Sequence, residues 1–297
     1  MQLTEIHRYP VKSMGGGLLS KTMLGRWGIP GDRAWAVKDE TRNSIKGGKR
    51  FPELMAMKAS FNSEPDDTNH SPPLTITLPD DQVVNSTDDN INQRLSLAIG
   101  APVSLWPLLP ETHLEHYRRE SMDPDTDIEA SLRQAFARTQ DEPLPDLSGF
   151  PKEIFEFESP PGTYFDAFPL LLMTTGSIET MQKLSKASRY DLRRFRPNLV
   201  IELPGAYPGN ESPEDGFPED GFPENQWVGR EARLGNATLR IEMPCPRCIM
   251  TTHGFRDLAK DPTVMRELVQ RNNGNLGVYC SVIVPGDISV GDQLTLL

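Results

Sequence analysis

Two of the chain's three cysteines stand together in Pro244-Cys245-Pro246-Arg247-Cys248, a C-x-x-C spacing with an arginine between the thiols. Thiols in such patterns serve zinc binding, dithiol exchange or, beside a positioned histidine, nucleophilic catalysis. Structural zinc needs about four ligands. Cys280 and the scattered His7, His70, His113, His116 and His253 offer no second pair at ligand spacing, so zinc is not expected. A thioredoxin-type dithiol opens a helix, whose dipole lowers the thiol pKa. Ile249-Met250-Thr251-Thr252 does not open a helix well. Of the histidines, only His253 is close enough in sequence to serve a cysteine nucleophile. Two readings remain, evenly weighted on the residues: a single thiolate on a soft metal centre with Arg247 beside an anionic group, or two buried structural cysteines.

Other chemistry-bearing residues are scattered. Lys12-Ser13 follows the first strand and precedes Gly15-Gly16-Gly17, a loop where backbone N–H groups can approach an anion. Arg33 follows Asp32 at a strand start and reads as a surface ion pair or an anion clamp. Lys46-Gly47-Gly48-Lys49-Arg50 reads as a solvated basic turn. Taken singly, each is a surface feature.

The elements that must position these groups are mostly short strands. Alternation marks strands over 3–9, 34–37, 74–78, 103–106, 199–203, 227–234, 237–241, 276–284 and 293–297. The apolar run 170–173 reads as a buried strand. A helix is expected over 88–99, capped by Ser86 or Thr87 and stopped by Gly100. A second is expected over 127–138, with Ile128, Leu132, Ala135 and Phe136 on one face. A third spans 178–186, capped by Ser177, and a fourth runs from Asp261-Pro262 to about Arg271. The proline-rich stretch 141–151 reads as a linker. Glu-Asp-Gly-Phe-Pro occurs in tandem at 214–218 and 219–223, inside an acidic low-complexity stretch expected to be a mobile, solvated loop.

Composition narrows the function classes. At 297 residues the chain can bury a full core without staples. An odd cysteine count argues for a reducing compartment rather than a disulfide framework. A net charge of −11 disfavours nonspecific nucleic-acid binding, while leaving room for a local basic pocket. The N-terminus lacks the pattern of a secretory signal, and no apolar run is long enough to span a membrane.

With these residues in view, the chain resembles MOSC-domain molybdenum-cofactor proteins, specifically the amidoxime-reducing and N-hydroxylamine-reducing branch that carries an N-terminal MOSC β-barrel domain. The resemblance runs nearly end to end. Its segments are Tyr9-Pro10-Val11-Lys12-Ser13, Asp32-Arg33-Ala34-Trp35, Phe195-Arg196-Pro197-Asn198, Cys245-Pro246-Arg247-Cys248 with the following Thr251-Thr252, Gly277-Val278-Tyr279, and Pro285 through Asp292. Each is weak alone; in this order they are specific. The resemblance implies an α+β, mostly β fold. It places an N-terminal β-barrel-like domain over 1–125 and a linker over 126–150. A MOSC β-barrel with flanking helices covers 151–297, and the first strand is open to packing with that second barrel.

The same resemblance implies molybdopterin-bound molybdenum, with Cys248 as metal ligand and catalytic residue. Lys12, Ser13, Arg33, Arg196, Asn198 and Arg247 are the implied cofactor-binding positions, with Tyr279 and Asp166 near the site. A thiolate suits a soft metal centre. The implied reaction is two-electron reduction of a small N-hydroxylated substrate, such as a hydroxylamine, amidoxime or N-hydroxy base. The implied setting is a cytoplasmic detoxifying oxidoreductase with no nucleic-acid or membrane partner. Pyridoxal phosphate binding is implied only at the level of the domain. Electrons are expected from a separate flavin or iron–sulfur reductase, because three cysteines are too few for a four-cysteine cluster. His253-Gly254 after Thr251-Thr252 departs from the family pattern, and the acidic repeat is additional. The competing functions are molybdenum-cofactor sulfur transfer and cofactor carriage.

Overall fold

The computed structural model describes residues 1–66, 69–121, 123, 125–203 and 221–297. The acidic stretch up to residue 220, expected to be a mobile loop, lies outside the described residues.

The first part of the chain forms β1 (Gln2–Arg8), β2 (Gly17–Leu19), β3 (Lys21–Leu24), β4 (Trp35–Asp39), β5 (Ser44–Lys46), β6 (Lys58–Phe61), β7 (Leu74–Thr77), β8 (Val83–Asn85), α1 (Ile91–Ile99) and β9 (Val103–Pro107). Then come α2 (Leu114–Tyr117), α3 (Ile128–Ala135), α4 (Glu153–Glu156), β10 (Leu170–Thr174), α5 (Thr175–Leu184), α6 (Leu192–Phe195), β11 (Leu199–Glu202), β12 (Glu231–Leu234), β13 (Ala237–Pro246), α7 (Thr263–Asn272), β14 (Asn275–Val284), β15 (Gly286–Ser289) and β16 (Leu294–Leu296). The fold is α+β and mostly β.

β4, β5 and β9 form one three-stranded sheet, and β6, β7 and β8 another. Between them Val37, Leu54, Leu74, Ile76 and Leu95 build an N-terminal core. The first two strands of the chain belong elsewhere. They enter an eight-stranded sheet ordered β16-β12-β13-β14-β10-β11-β1-β2. Leu3 and Ile6 of β1 join Leu172, Leu199, Ile241 and Val278 in its core. These two buried residues are three apart because the register shifts between Leu3 and Glu5, and a bulge breaks strict alternation. The sheet is not a closed barrel. Among the described residues its β1 and β16 sides meet through the isolated bridge Gln2–Gln293, the Gln2 side-chain bond to the Gly291 carbonyl at 3.2 Å and backbone bonds such as Leu294 N–H to the Met1 carbonyl at 2.8 Å. β10 and β11 run parallel, joined by the helical crossover α5–α6.

Two helix starts differ from expectation. α1 begins after Asn90 without a side-chain cap. The Ser86 hydroxyl is used elsewhere, accepting from Leu74 N–H at 2.9 Å. α5 is capped by Thr174, whose hydroxyl accepts from Ser177 N–H at 3.2 Å. Thr174 is still extended as the last residue of β10, so it has the backbone an N-cap needs.

Glu224 is fully buried and accepts from the hydroxyls of Thr174 at 2.7 Å and Ser177 at 2.6 Å. Burial raises its pKa despite these bonds. A raised folded-state pKa makes its contribution to stability complete below the unfolded carboxyl value and lost as pH rises through the folded value. Denaturant titrations should therefore carry a component that weakens stability as pH rises above about 4.3, the ordinary glutamate value. That slope should flatten in Glu224→Gln. An unchanged slope would show that Glu224 ionises without cost.

Candidate active site

The site is assembled from four segments. The first leaves the end of β1. Val11 bridges to Trp35 and Lys12 N–H bonds the Trp35 carbonyl at 2.8 Å, which turns the lysine inward. Its ammonium donates to Asp166 at 2.7 Å, to the Tyr164 carbonyl at 2.8 Å and to the Ser159 hydroxyl at 3.2 Å. The Ser13 hydroxyl accepts from Gly48 N–H at 2.8 Å. A Cβ on Gly47 would stand 2.7 Å from that hydroxyl, so the glycine turn must lie bare against Ser13.

The second and third segments meet on Tyr9. Arg196 stacks over its ring at 4.2 Å and Arg33 at 5.3 Å. Arg33 pairs with Asp32 and reaches the Asn198 side-chain oxygen at 3.3 Å. Asn198 is buried, donating to Asp32 at 3.0 Å and to the His7 carbonyl at 3.2 Å. Arg196 donates one nitrogen to the Met14 carbonyl, while its other terminal nitrogen, Nη2, is buried without a partner among the described residues. Burial, with Arg33 adding like-charge repulsion, brings the Arg196 pKa down to about 10. Ser13, Arg33 and Arg196 all have left-handed backbones, with φ of 69°, 52° and 58°. Each costs roughly 1–2 kcal/mol for a non-glycine residue. Such strain gathers where side chains are aimed for function.

The fourth segment is the cysteine loop. β13 carries Cys245 in its last turn of strand, with register shifts before and after Met243–Pro244. Cys248 follows, and then a 3-10 turn at Ile249–Thr252. The two thiols differ. Cys245 is buried, Cys248 is partly exposed, and both are free. Burial pushes the Cys245 thiol up, only partly offset by Arg247 and Tyr279. Arg247 donates to the Cys245 sulfur at 3.0 Å and to the Phe195 carbonyl, which couples this loop to the Arg196 segment. Gly277, at φ 76°, lets β14 approach β10, because a Cβ there would meet the Leu172 carbonyl at 2.8 Å. This register brings Tyr279 opposite Met243 on one side and Leu171 on the other.

All nine candidate residues, Lys12, Ser13, Arg33, Asp166, Arg196, Asn198, Arg247, Cys248 and Tyr279, line one cavity of about 520 Å³. The cationic groups converge in a protein of net charge −11, so the wall is locally basic. Asp166 is 63% exposed, into the cavity. Enclosure raises its pKa, but Lys12, Lys49 and Arg33 outweigh this and hold the carboxyl well below the usual range. Burial holds the Tyr279 hydroxyl well above its ordinary pKa, so it stays protonated.

Three features escaped the sequence reading. Lys46 is not solvated but bonds Glu158 at 2.6 Å, and Lys49 lines the cavity over Phe136 at 5.2 Å. Arg194 is 2% exposed and binds the Thr251, His253 and Ala259 carbonyls. The run Arg193-Arg194-Phe195-Arg196 was visible, but which arginine is buried depends on the helical turn of α6. The apolar face of the third feature, α3, was legible; that it faces the cavity was not.

Comparison with known proteins gives the following matches. The MOSC domain family model matches residues 161–295, and the MOSC N-terminal beta barrel domain model matches residues 1–99. The chain is 26% identical to mitochondrial amidoxime-reducing component 1 of Mus musculus, over 97% of this chain and 80% of the relative. Among solved structures, the YUAD protein from Bacillus subtilis aligns with 99% of this chain and 94% of its own, at 10% identity and a TM-score of 0.41. YiiM from Geobacillus stearothermophilus aligns with 44% of this chain and 54% of its own, at 14% identity and a TM-score of 0.30.

Proposed function

Because this chain belongs to the MOSC-domain family, with a MOSC N-terminal β-barrel domain ahead of the MOSC domain, we propose that it is a molybdenum-cofactor-dependent oxidoreductase that reduces N-hydroxylated compounds to amines. The observation that carries this reading is the convergence of a partly exposed, free Cys248 with Lys12, Arg33, Arg196 and Arg247 on one cavity. The likeness to an amidoxime-reducing component over 97% of the chain supports the reaction class. We divide the chain functionally as residues 1–125, a linker at 126–150 and a MOSC unit at 151–297.

The residues fit an anionic, metal-bearing cofactor. Among the described residues no acceptor meets the Nη2 of Arg196, which is buried in the cavity wall. A buried donor left unmade costs about 1–3 kcal/mol, which a phosphate oxygen would recover. Lys12, Arg33, Arg196 and Arg247 would hold such oxygens by charge-assisted bonds, Ser13 and Asn198 would fix the loops that carry them, and the Cys248 thiolate would ligate molybdenum. Bound there, the cofactor supplies a two-electron centre able to accept oxygen from an N–O bond.

The net conversion is R–NHOH plus two electrons and two protons to R–NH2 plus water. The N–O bond breaks, the nitrogen is reduced, and the protons enter the amine and the water. Tyr279, held protonated, can donate a hydrogen bond to the leaving oxygen but cannot act as base near neutral pH. Asp166, held ionised by Lys12, orients the lysine and is not the proton source. We propose that electrons come from a separate flavin or iron–sulfur reductase. Among the described residues no helix is long and apolar enough to cross a membrane.

Metal-replete protein should reduce hydroxylaminopurine with reduced viologen as donor. Bound molybdenum without turnover, or release of cofactor to apo-enzymes, would replace this reading with carriage. A persulfide on a cysteine without reduction would replace it with sulfur transfer. Cys245→Ser should keep molybdenum at the wild-type level, because Cys245 is a buried hydrogen-bond acceptor for Arg247. Loss of metal equal to that in Cys248→Ala would make both thiols ligands.

A further inference from the structure

The cations and Cys248 account for one side of the cavity. The other side is apolar and has no role in the reading above. α3 is an amphipathic helix in which no residue is buried. A short helix ordinarily owes its stability to packing its apolar face on a core. Here Ile128, Leu132 and Phe136 line the cavity instead, with Phe150 and Phe155 from the segment that follows. Ile128 is 58% exposed and Phe155 62%. Of the charges near this wall, Glu158 accepts from both Arg119 at 3.1 Å and Lys46 at 2.6 Å, and Lys49 lies over the face of the Phe136 ring at 5.2 Å. Phe150 meets the Tyr279 ring edge-on at 6.1 Å, which joins the apolar wall to the cysteine side without a polar gap.

An apolar wall open to water inside a reactive cavity favours an occupant that covers it. We infer that this wall selects N-hydroxylated substrates whose N–OH group is carried on an apolar ring, with Leu132 and Phe155 as specificity-determining residues. The inference rests on the proposed reaction and adds the class of substrate body. The ring would lie against α3 and Phe155 and direct its polar end toward Cys248. Aromatic pairs and area burial would both contribute. A small polar substrate gains neither.

The test uses the molybdenum-loaded full chain and the variants Leu132→Asn and Phe155→Ser, both at cavity-facing positions outside any core cluster. Three quantities are read: molybdenum and pterin content, kcat/KM for benzamidoxime against acetamidoxime, and equilibrium binding of the two amidoximes to the oxidised protein. The wild type should favour the aryl compound in both binding and kcat/KM. Each variant should lose about tenfold or more of that preference, with unchanged cofactor content and unchanged reduction of hydroxylamine. No aryl preference in the wild type, or a preference that both variants retain, overturns the inference. So does loss of pterin in the variants, which would make the wall a cofactor surface. Failure of the loaded wild type to reduce even hydroxylamine overturns the reaction instead, and the binding ratio still decides the role of the wall.

Discussion

Cys248→Ala should leave a folded protein that has lost its molybdenum and at least about 100-fold of its reductase activity. The magnitude follows from metal sites in which even outer partners cost 10–100-fold when removed; the ligand itself should cost no less. The fold should survive because the structural work at residue 248 is done by its backbone. The Cys248 carbonyl accepts from the Thr251 N–H at 3.1 Å and from the Thr251 hydroxyl at 3.0 Å, whatever side chain is attached. Cys248→Ser should fall between, since an oxygen is a harder and weaker ligand for a soft centre. Metal analysis and thermal unfolding on the same preparations separate the two effects. Molybdenum held unchanged by Cys248→Ala would sink the ligand assignment.

Arg194→Ala should be the most destabilising single change near the site, by about 3–5 kcal/mol. The guanidinium donates to Thr251 at 3.2 Å, His253 at 2.9 Å, Ala259 at 2.7 Å and Arg189 at 3.2 Å, all backbone carbonyls. Alanine would leave these acceptors unpaired around a new cavity. The loop that follows Cys248 would then lose its tie to α6, so molybdenum occupancy should drop together with stability. Arg194→Lys keeps the charge but not the planar fork, and should recover only part of both. A loss below about 1 kcal/mol in denaturant unfolding, smaller than that of one unsatisfied buried group, would mean that the loop is held by other contacts.

The cysteine pair shows how far residues alone can be read. The lack of a second ligand pair made zinc unexpected and Ile249-Met250-Thr251-Thr252 disfavoured a dithiol, but neither told the two thiols apart. The structure separates them: Cys245 ends a strand under Arg247 and Tyr279, and Cys248 opens onto the cavity. The scattered cations behaved in the same way. Lys12, Arg33 and Lys49 each read as a surface feature because a local window cannot see Asp166, Asn198 or the cavity floor, which lie far along the chain. Only the order of six short segments joined Lys12 and Arg33, which is a resemblance rather than a geometry, and Lys49 lies in none of those segments.

Strand alternation, the glycine stop after α1 and the Asp261-Pro262 start of α7 were legible because they are decided within a few residues by sterics and backbone hydrogen bonding. The helix starts at α1 and α5 were displaced because tertiary contacts claimed the Ser86 hydroxyl and strand β10 ran on to Thr174. Placement of β1 in the eight-stranded sheet required long-range pairing with β11, nearly two hundred residues away in the register Gln2–Glu202. Pairing of that kind depends on the energy of the whole sheet, not on any window of sequence. The sequence by itself thus determined which residues could carry chemistry and which stretches would be strand or helix. Tertiary structure alone decided that Lys12 and Cys248 share a cavity, that Cys245 is buried beside it, and that the apolar face of α3 looks into that cavity rather than a core. The physical reason is that burial, ion pairing and thiol ionisation depend on distances in space, which chain separation does not encode.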